Sequence, residues 1–238
     1  MEGANIFFTP DARKKLQEAG VMIIKDSSAN KTGVICSSYE IIASLLLSPT
    51  EFAAIKDVYV KQVIDLLRAK VADEARLLFN EYINHGGRQN LVELSETISQ
   101  EINEVTDTLL EEFVKDPDKA LKDPVFGEIL YRHVPAILVE NYRERIISLP
   151  EAHKIAILAA FIASRIVYNE GLGWLHTIPA ADRFLACTTY IKQEQETQNL
   201  VDSVLESGLN NKNQIVAILK NSAARELTMF ELHQAHNK

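Results

Sequence analysis

The sequence predicts a mainly α protein: a multi-helix C-terminal domain preceded by the last helix-strand-helix piece of a doubly wound α/β domain. Three observations lead there. The run Val21-Met22-Ile23-Ile24 is continuously apolar and short, as in a strand covered on both faces. No convincing second strand comes after it. From Thr50 onward, apolar residues recur in steps of three and four between Gly-Gly, Pro and Asn-Asn breakers. The boundary between the two parts falls at residues 48 and 49, giving a 1–48 sheet-domain remnant and a 49–238 helical domain.

Thr9 can cap a helix whose first residue is Pro10 and whose end is marked by Gly20, so residues 10 to 19 read as a short helix. The strand at 21–24 needs paired neighbours, which this chain does not supply, so the sheet is expected to begin upstream or to come from another chain. Lys25 to Val34 reads as a polar loop, leading into a helix from about Ser37 to Leu47. Loops at the carboxyl ends of parallel strands are where doubly wound sheets bind ligands.

Downstream, Val60, Val63, Leu67, Val71, Ala75, Leu78 and Tyr82 form one stripe on a helix that stops at Gly86-Gly87. Asn90 caps the next helix with Glu93 at the capping-box position, and Leu91, Leu94, Ile98, Ile102, Val105 and Leu109 form its stripe. These two can fold back as an antiparallel pair about 40 Å long, a candidate arm for oligomer contacts. Pro150 to Glu170 is apolar around much of its circumference and reads as the central buried helix, in which Ser164 and Arg165 need partners. Gly171-Leu-Gly173 lacks a third glycine and sits after a helix, so it reads as a helix stop, with Trp174 sealing the core. Two long helices complete the chain, about 179–207 and about 212 to the C-terminus, and the polar Gln193–Gln198 stretch reads as a solvated face. Roughly six or seven helices are expected from Thr50 on.

Composition narrows the class of function. Of 238 residues, 47% are hydrophobic and 24% charged, with 9 Gly and 7 Pro, which suits a folded globular protein. A formal charge of −8 without a clustered basic face argues against a nucleic-acid partner. The longest apolar stretch, 155–163, is far below the ~20 residues needed to cross a bilayer, and Glu2 stands after Met1 where a signal peptide would be basic, so no membrane association is expected. Cys36 and Cys187 lie far apart without CxxC spacing and read as free buried thiols of a cytoplasmic protein. The six histidines include the pair His233 and His236 at three-residue spacing, but no carboxylate completes a ligand set, so no metal site is expected.

Four motifs occur in register: Glu2-Gly-Ala-Asn5, Thr9-Pro10, Ala29-Asn30-Lys-Thr-Gly-Val34 and Ser37-Ser-Tyr-Glu40. Together they resemble the C-terminal part of the cofactor domain of glutamate dehydrogenases. Lys31-Thr32, where compact members usually carry Ala-Gly, is similar to the large NAD-specific branch, whose long helical extension the remainder resembles in character, including Ala163 to Gly171. The resemblance implies oxidation of L-glutamate to 2-oxoglutarate and ammonia, with NAD as hydride acceptor in the intact enzyme. It implies Asn5 near the nicotinamide ribose and Asn30 near the carboxamide, amides that donate and accept at once. It implies Val34 lining the pocket for the substrate side chain and Ser37 donating to the distal carboxylate near a helix N-terminus. Taken without the resemblance, these residues are ordinary cap and loop formers, and Ser38 and Glu40 keep that reading.

No catalytic residue is expected in this chain. The family's catalytic lysine and aspartate and its GxGxxG turn are absent and belong upstream, so the chain alone is expected to be inactive. Its expected partners are the upstream catalytic and NAD-binding regions of the same enzyme, together with L-glutamate or 2-oxoglutarate and further copies in a homo-oligomer. A second reading, from a different class, makes the helical region an oligomerisation or regulatory module without activity.

Overall fold

Helix punctuation decides where the chain turns. Thr9 Oγ1 accepts from Ala12 N at 3.2 Å and Pro10 fills the first position of α1 (Pro10–Glu18), which ends before Gly20 at φ +83°. The computed structural model describes residues 1–236. The last two residues, over which the expected C-terminal helix continues, and the side chain of His236 in the expected His233/His236 pair lie outside the described residues.

The expected strand is corrected by the structure. Residues 21–24 carry no regular secondary structure, and no strand forms among the described residues. Ile23 is 4% exposed while Met22 is 63% exposed, so the run is covered on one side and not on both. A strand exists only where a neighbour takes up its N–H and C=O groups. Here Glu2 N donates to Ile24 O at 3.0 Å, a contact and not a ladder.

The expected loop 25–34 is corrected too. It folds as α2 (Asp26–Ala29) and the start of α3 (Lys31–Leu46), with Asn30 as the joint between them. α3 therefore begins six residues before Ser37. Ser28 and Lys31 have buried partners on distant helices, and those tertiary contacts override the weak helix preference of Ser, Asn and Gly.

Ser48 and Glu51 form a capping box that starts α4 (Pro49–Asn84), and His85 and the positive-φ Gly86 and Gly87 mark its end. Arg145 Nη2 reaches Glu51 Oε1 at 2.8 Å, and this pairing, with the Ser48 bonds, holds the Glu51 carboxyl down to about 2. The buried face of α4 includes Tyr59, Val63, Leu77 and Leu78, whereas Val60 and Val71 of the expected stripe are 41% and 39% exposed. One long helix serves two different neighbours at its two ends, so a single stripe does not describe it.

Asn90 caps α5 (Leu91–Phe113), with Glu93 completing the capping box. Then come α6 (Pro117–Lys122), α7 (Pro124–His133), α8 (Ala136–Ile147) and α9 (Glu151–Glu170). Two short 3-10 turns at Leu175–Thr177 and Ala180–Asp182 lead into α10 (Arg183–Glu206) and α11 (Lys212–His236), which pack on each other. Among the described residues, eight α-helices come after residue 48, slightly more than expected, because α6 to α8 are short pieces separated by breaks that Asp116 and Asp123 cap and that Pro135 marks.

α5 lies chiefly along α9 and touches α4 over a smaller part of its length, so the expected free-standing two-helix arm does not form. The reason is the apolarity of α9: Leu158, Ile162 and Ile166 are fully buried and receive Leu94, Ile98 and Leu109 of α5. Ser164 Oγ donates to Ala160 O, and Arg165 pairs with Glu194, which satisfies the two polar residues of this helix. Gly171 stops α9 at φ +78°, and the Trp174 ring closes the end of the core against Tyr190 at 5.2 Å. Cys187 is buried in the same core, and burial pushes its thiol up to about 12, while Cys36 is only half-buried; both are free.

A second core joins Tyr39, Ile42 and Leu46 of α3 to Tyr59 and Val63 of α4 and Leu138 and Ile146 of α8. The segment before residue 48 thus shares its core with the helices after it. No helix among the described residues is long and apolar enough to cross a membrane.

Ile162→Ala should cost about 3 kcal/mol, because a fully enclosed side chain leaves a cavity, and the urea midpoint will fall with little change in slope. His133 supplies a pH test. Its ring lies 5.7 Å from Tyr39, Nδ1 is buried without a partner, and burial, with Lys70 nearby, lowers its pKa from 6.5 to about 4. The unfolded chain binds this proton below pH 6.5 while the fold resists it, so stability present above 6.5 is lost as pH falls toward 4. His133→Phe should show a smaller drop in Tm between about pH 7 and about pH 4.5 than the parent chain.

Candidate functional site

The N-terminal residues are held by one buried carboxylate. Glu2 is fully enclosed; its oxygens accept from Arg13 Nε and Nη2 at 3.1 Å each, and Oε2 also accepts from Asp26 N at 3.1 Å. This fork ties the first residues, α1 and the start of α2 together. Asp26 in turn accepts from Ile6 N at 2.7 Å, the main reason its carboxyl lies below the usual aspartate range. Ile6 sits at φ +53°, a left-handed conformation that costs a β-branched residue energy and persists only because its surroundings hold it.

That strained turn delivers Asn5 to Asn30. Asn30 Nδ2 donates to Asn5 Oδ1 at 2.8 Å, across 25 positions of sequence. One carbonyl and one amino group of the pair are left for other partners. Gly33 leaves room for this arrangement, since a Cβ there would stand 3.3 Å from Asn30 Oδ1.

Val34 and Ser37 continue along the same face of α3, at four and seven residues from Asn30. Val34 is 75% exposed. Ser37 is the seventh residue of α3 and not part of its first turn, and its Oγ donates to Gly33 O at 3.2 Å. The expected closeness of Ser37 to a helix N-terminus is therefore corrected, because the amides around it already serve the helix. Ser38 donates to Ile35 O in the same back-bonded way.

Beneath this face lies a network that no motif of the sequence announces. Glu74 of α4, with a side chain 3% exposed, accepts from Ser28 Oγ at 2.5 Å, Lys31 Nζ at 2.6 Å and Tyr168 OH at 2.6 Å. Ser28 and Ser27 both reach Ser95 of α5, at 2.6 and 2.7 Å. Lys25 is paired with Glu96 beside them. Burial, then the Glu74 charge, raise the Tyr168 hydroxyl above its ordinary value, so it stays protonated as a donor. Glu74 falls on the face that carries Val63, Leu67 and Leu78, and that interruption of an apolar stripe was the available signal.

Residues 1–84 match the family model described as Glutamate/Leucine/Phenylalanine/Valine dehydrogenase. The chain belongs to this dehydrogenase family. It is similar to "Glutamate dehydrogenase 2" of Dictyostelium discoideum, 32% identical over 184 residues, covering 72% of this chain and 17% of that protein. It is also similar to the "NAD-specific glutamate dehydrogenase" of Neurospora crassa, 31% identical over 185 residues, with the same coverage. A "Probable NAD-specific glutamate dehydrogenase" of Schizosaccharomyces pombe is 34% identical over 187 residues, covering 71% of this chain and 16% of that one. The chain thus spans about a sixth of the length of the curated relatives it matches. No solved structure matches it.

The family match runs past residue 48 to residue 84 and so takes in α4 and Glu74 with the motif-bearing segment. Glu74→Ala should destabilise the dehydrogenase chain by about 3 kcal/mol, since Lys31 and two hydroxyls lose a buried acceptor. Glu74→Gln, which keeps the volume, should lose less, and urea denaturation of both variants will measure the difference.

Proposed function

We propose that this chain is the C-terminal part of an NAD-dependent glutamate dehydrogenase, which converts L-glutamate to 2-oxoglutarate and ammonia. The observation that carries the proposal is the Asn30–Asn5 hydrogen bond of 2.8 Å, which joins two of the matched motifs on an exposed surface that continues into Val34 and Ser37. In this reading, the free donor and acceptor of the amide pair meet the nicotinamide carboxamide and ribose. Val34 contacts the methylenes of glutamate, and Ser37 exchanges its weak bond to Gly33 O for a charge-assisted bond to the distal carboxylate.

The residues fit the nicotinamide end of the cofactor. The chain has no GxGxxG turn for the pyrophosphate and no glycine-rich segment carrying the catalytic lysine. When bound, NAD supplies the hydride acceptor; this chain's part is to orient the ring and the substrate. The upstream catalytic and NAD-binding regions complete the site, and the chain alone is inactive.

A regulatory or oligomerisation role is the second reading, and the exposed apolar residues of α3 and α4 favour it. Ile41, Leu45, Val58 and Ile64 are each more than 40% exposed in this chain alone. Such residues suit contacts with the rest of the enzyme or with another copy of it.

In the full-length enzyme, Ser37→Ala should raise the KM for glutamate about ten-fold and leave the KM for NAD nearly unchanged, the loss expected of one charge-assisted bond. Asn30→Ala should raise the KM for NAD and leave that for glutamate nearly unchanged. Steady-state kinetics of the two variants test the assignment, and equal effects on both substrates would overturn it. Turnover by the purified 238-residue chain would overturn the inactivity.

A further inference from the structure

A cleft of about 430 Å³ opens between α9, α10 and α11, with Arg76 of α4 on its rim, well away from the Asn5–Asn30 surface in sequence. Its size falls within the roughly 300–1,000 Å³ of ordinary small-molecule sites. Its walls are polar, and most of their charges are already matched. Glu194 accepts from Arg165 and Asn169, while Glu170 accepts from Tyr190 OH at 2.7 Å and from Arg225. Arg76 is held by Asp73 across one turn.

Lys220 and Thr197 are among the lining groups left unmatched. Lys220 of α11 lines the cleft and, among the described residues, has no hydrogen bond or ion pair. Thr197 of α10 also lines it, is 7% exposed, and its Oγ1 is buried without a partner. Other helical threonines of this chain, Thr106, Thr188 and Thr228, donate to the carbonyl four residues back. Thr197 does not use that local partner, although an unpaired buried hydroxyl is unfavourable. The Gln193–Gln198 stretch, expected from sequence to be a solvated face, is thus partly the wall of a cleft; Gln193 itself is buried and bonded to Glu231 at 2.6 Å.

We propose that this cleft is a binding site for a small organic anion, a carboxylate or a phosphate monoester, held by the Lys220 ammonium and the Thr197 hydroxyl with Arg76 and Arg165 nearby. Arg76 and Arg165 are paired with Asp73 and Glu194, and Glu170 with Arg225, so Lys220 is left as the uncompensated charge of the lining and the field in the cleft favours a negative group beside it. Tyr168 forms part of the wall, and its hydroxyl ends on Glu74. The site therefore abuts the network under the N-terminal segment. Its anion chemistry is independent of the dehydrogenase reading.

Inorganic phosphate and malonate, titrated separately at low ionic strength into the 238-residue chain and followed by amide chemical shifts, test it. Saturable shifts confined to residues near 165–170, 194–201 and 219–224 are expected for at least one probe, and which probe binds assigns the anion class. Lys220→Gln should weaken binding about ten-fold, and Thr197→Val, nearly isosteric, several-fold. Should Thr197→Val not fold, the surface variant Lys220→Gln decides. No saturable binding of either probe, shifts centred elsewhere, or unchanged affinity in Lys220→Gln would overturn the site.

Discussion

The carboxylate of Glu74 is the constraint on which the N-terminal part of this structure depends. A buried charge is tolerated only when its lone pairs are occupied, and here a lysine, a tyrosine and a serine from three different elements occupy them. Because Ser28 and Lys31 flank Asn30, satisfying Glu74 fixes the joint between α2 and α3. The interaction is directional, so it specifies a position, which non-directional apolar burial cannot do as sharply. The Asn5–Asn30 surface is the outward consequence of that inner arrangement.

The helical body supplies the rigid backing. α9 is enclosed by α5, α7 and α10, and its Ser164 and Arg165 both find partners, so the helix sits in its core without an unsatisfied cost at either residue. The second core fastens α3 to α4 and α8. A residue of α3 therefore cannot shift without disturbing packing on its opposite face. The face that carries Asn30, Val34 and Ser37 is thus held firmly against helices.

What could be read in advance varied with the kind of signal. Caps at Thr9 and Asn90 and the glycine stops at Gly20, Gly86 and Gly171 are local chemistry, legible within a few residues. The apolar α9 was equally plain. The segment 21–34 was not, since an apolar run next to Ser, Asn and Gly reads as strand and loop until distant partners are known. The pairing of Asn5 with Asn30 and the place of Thr197 on a cleft wall also depend on contacts far apart in the chain.

The sequence by itself determined a mainly helical chain, the caps or stops of several of its helices and, through four motifs in register, its family. These depend on hydrogen bonding and periodicity over short spans of chain. Only the tertiary structure decided that residues 26–36 coil into helix, that α5 rests chiefly on α9, and that Glu74 gathers Ser28, Lys31 and Tyr168. Each of those outcomes is a choice among neighbours, and burial energy and the need to satisfy an enclosed charge are settled by which surfaces meet.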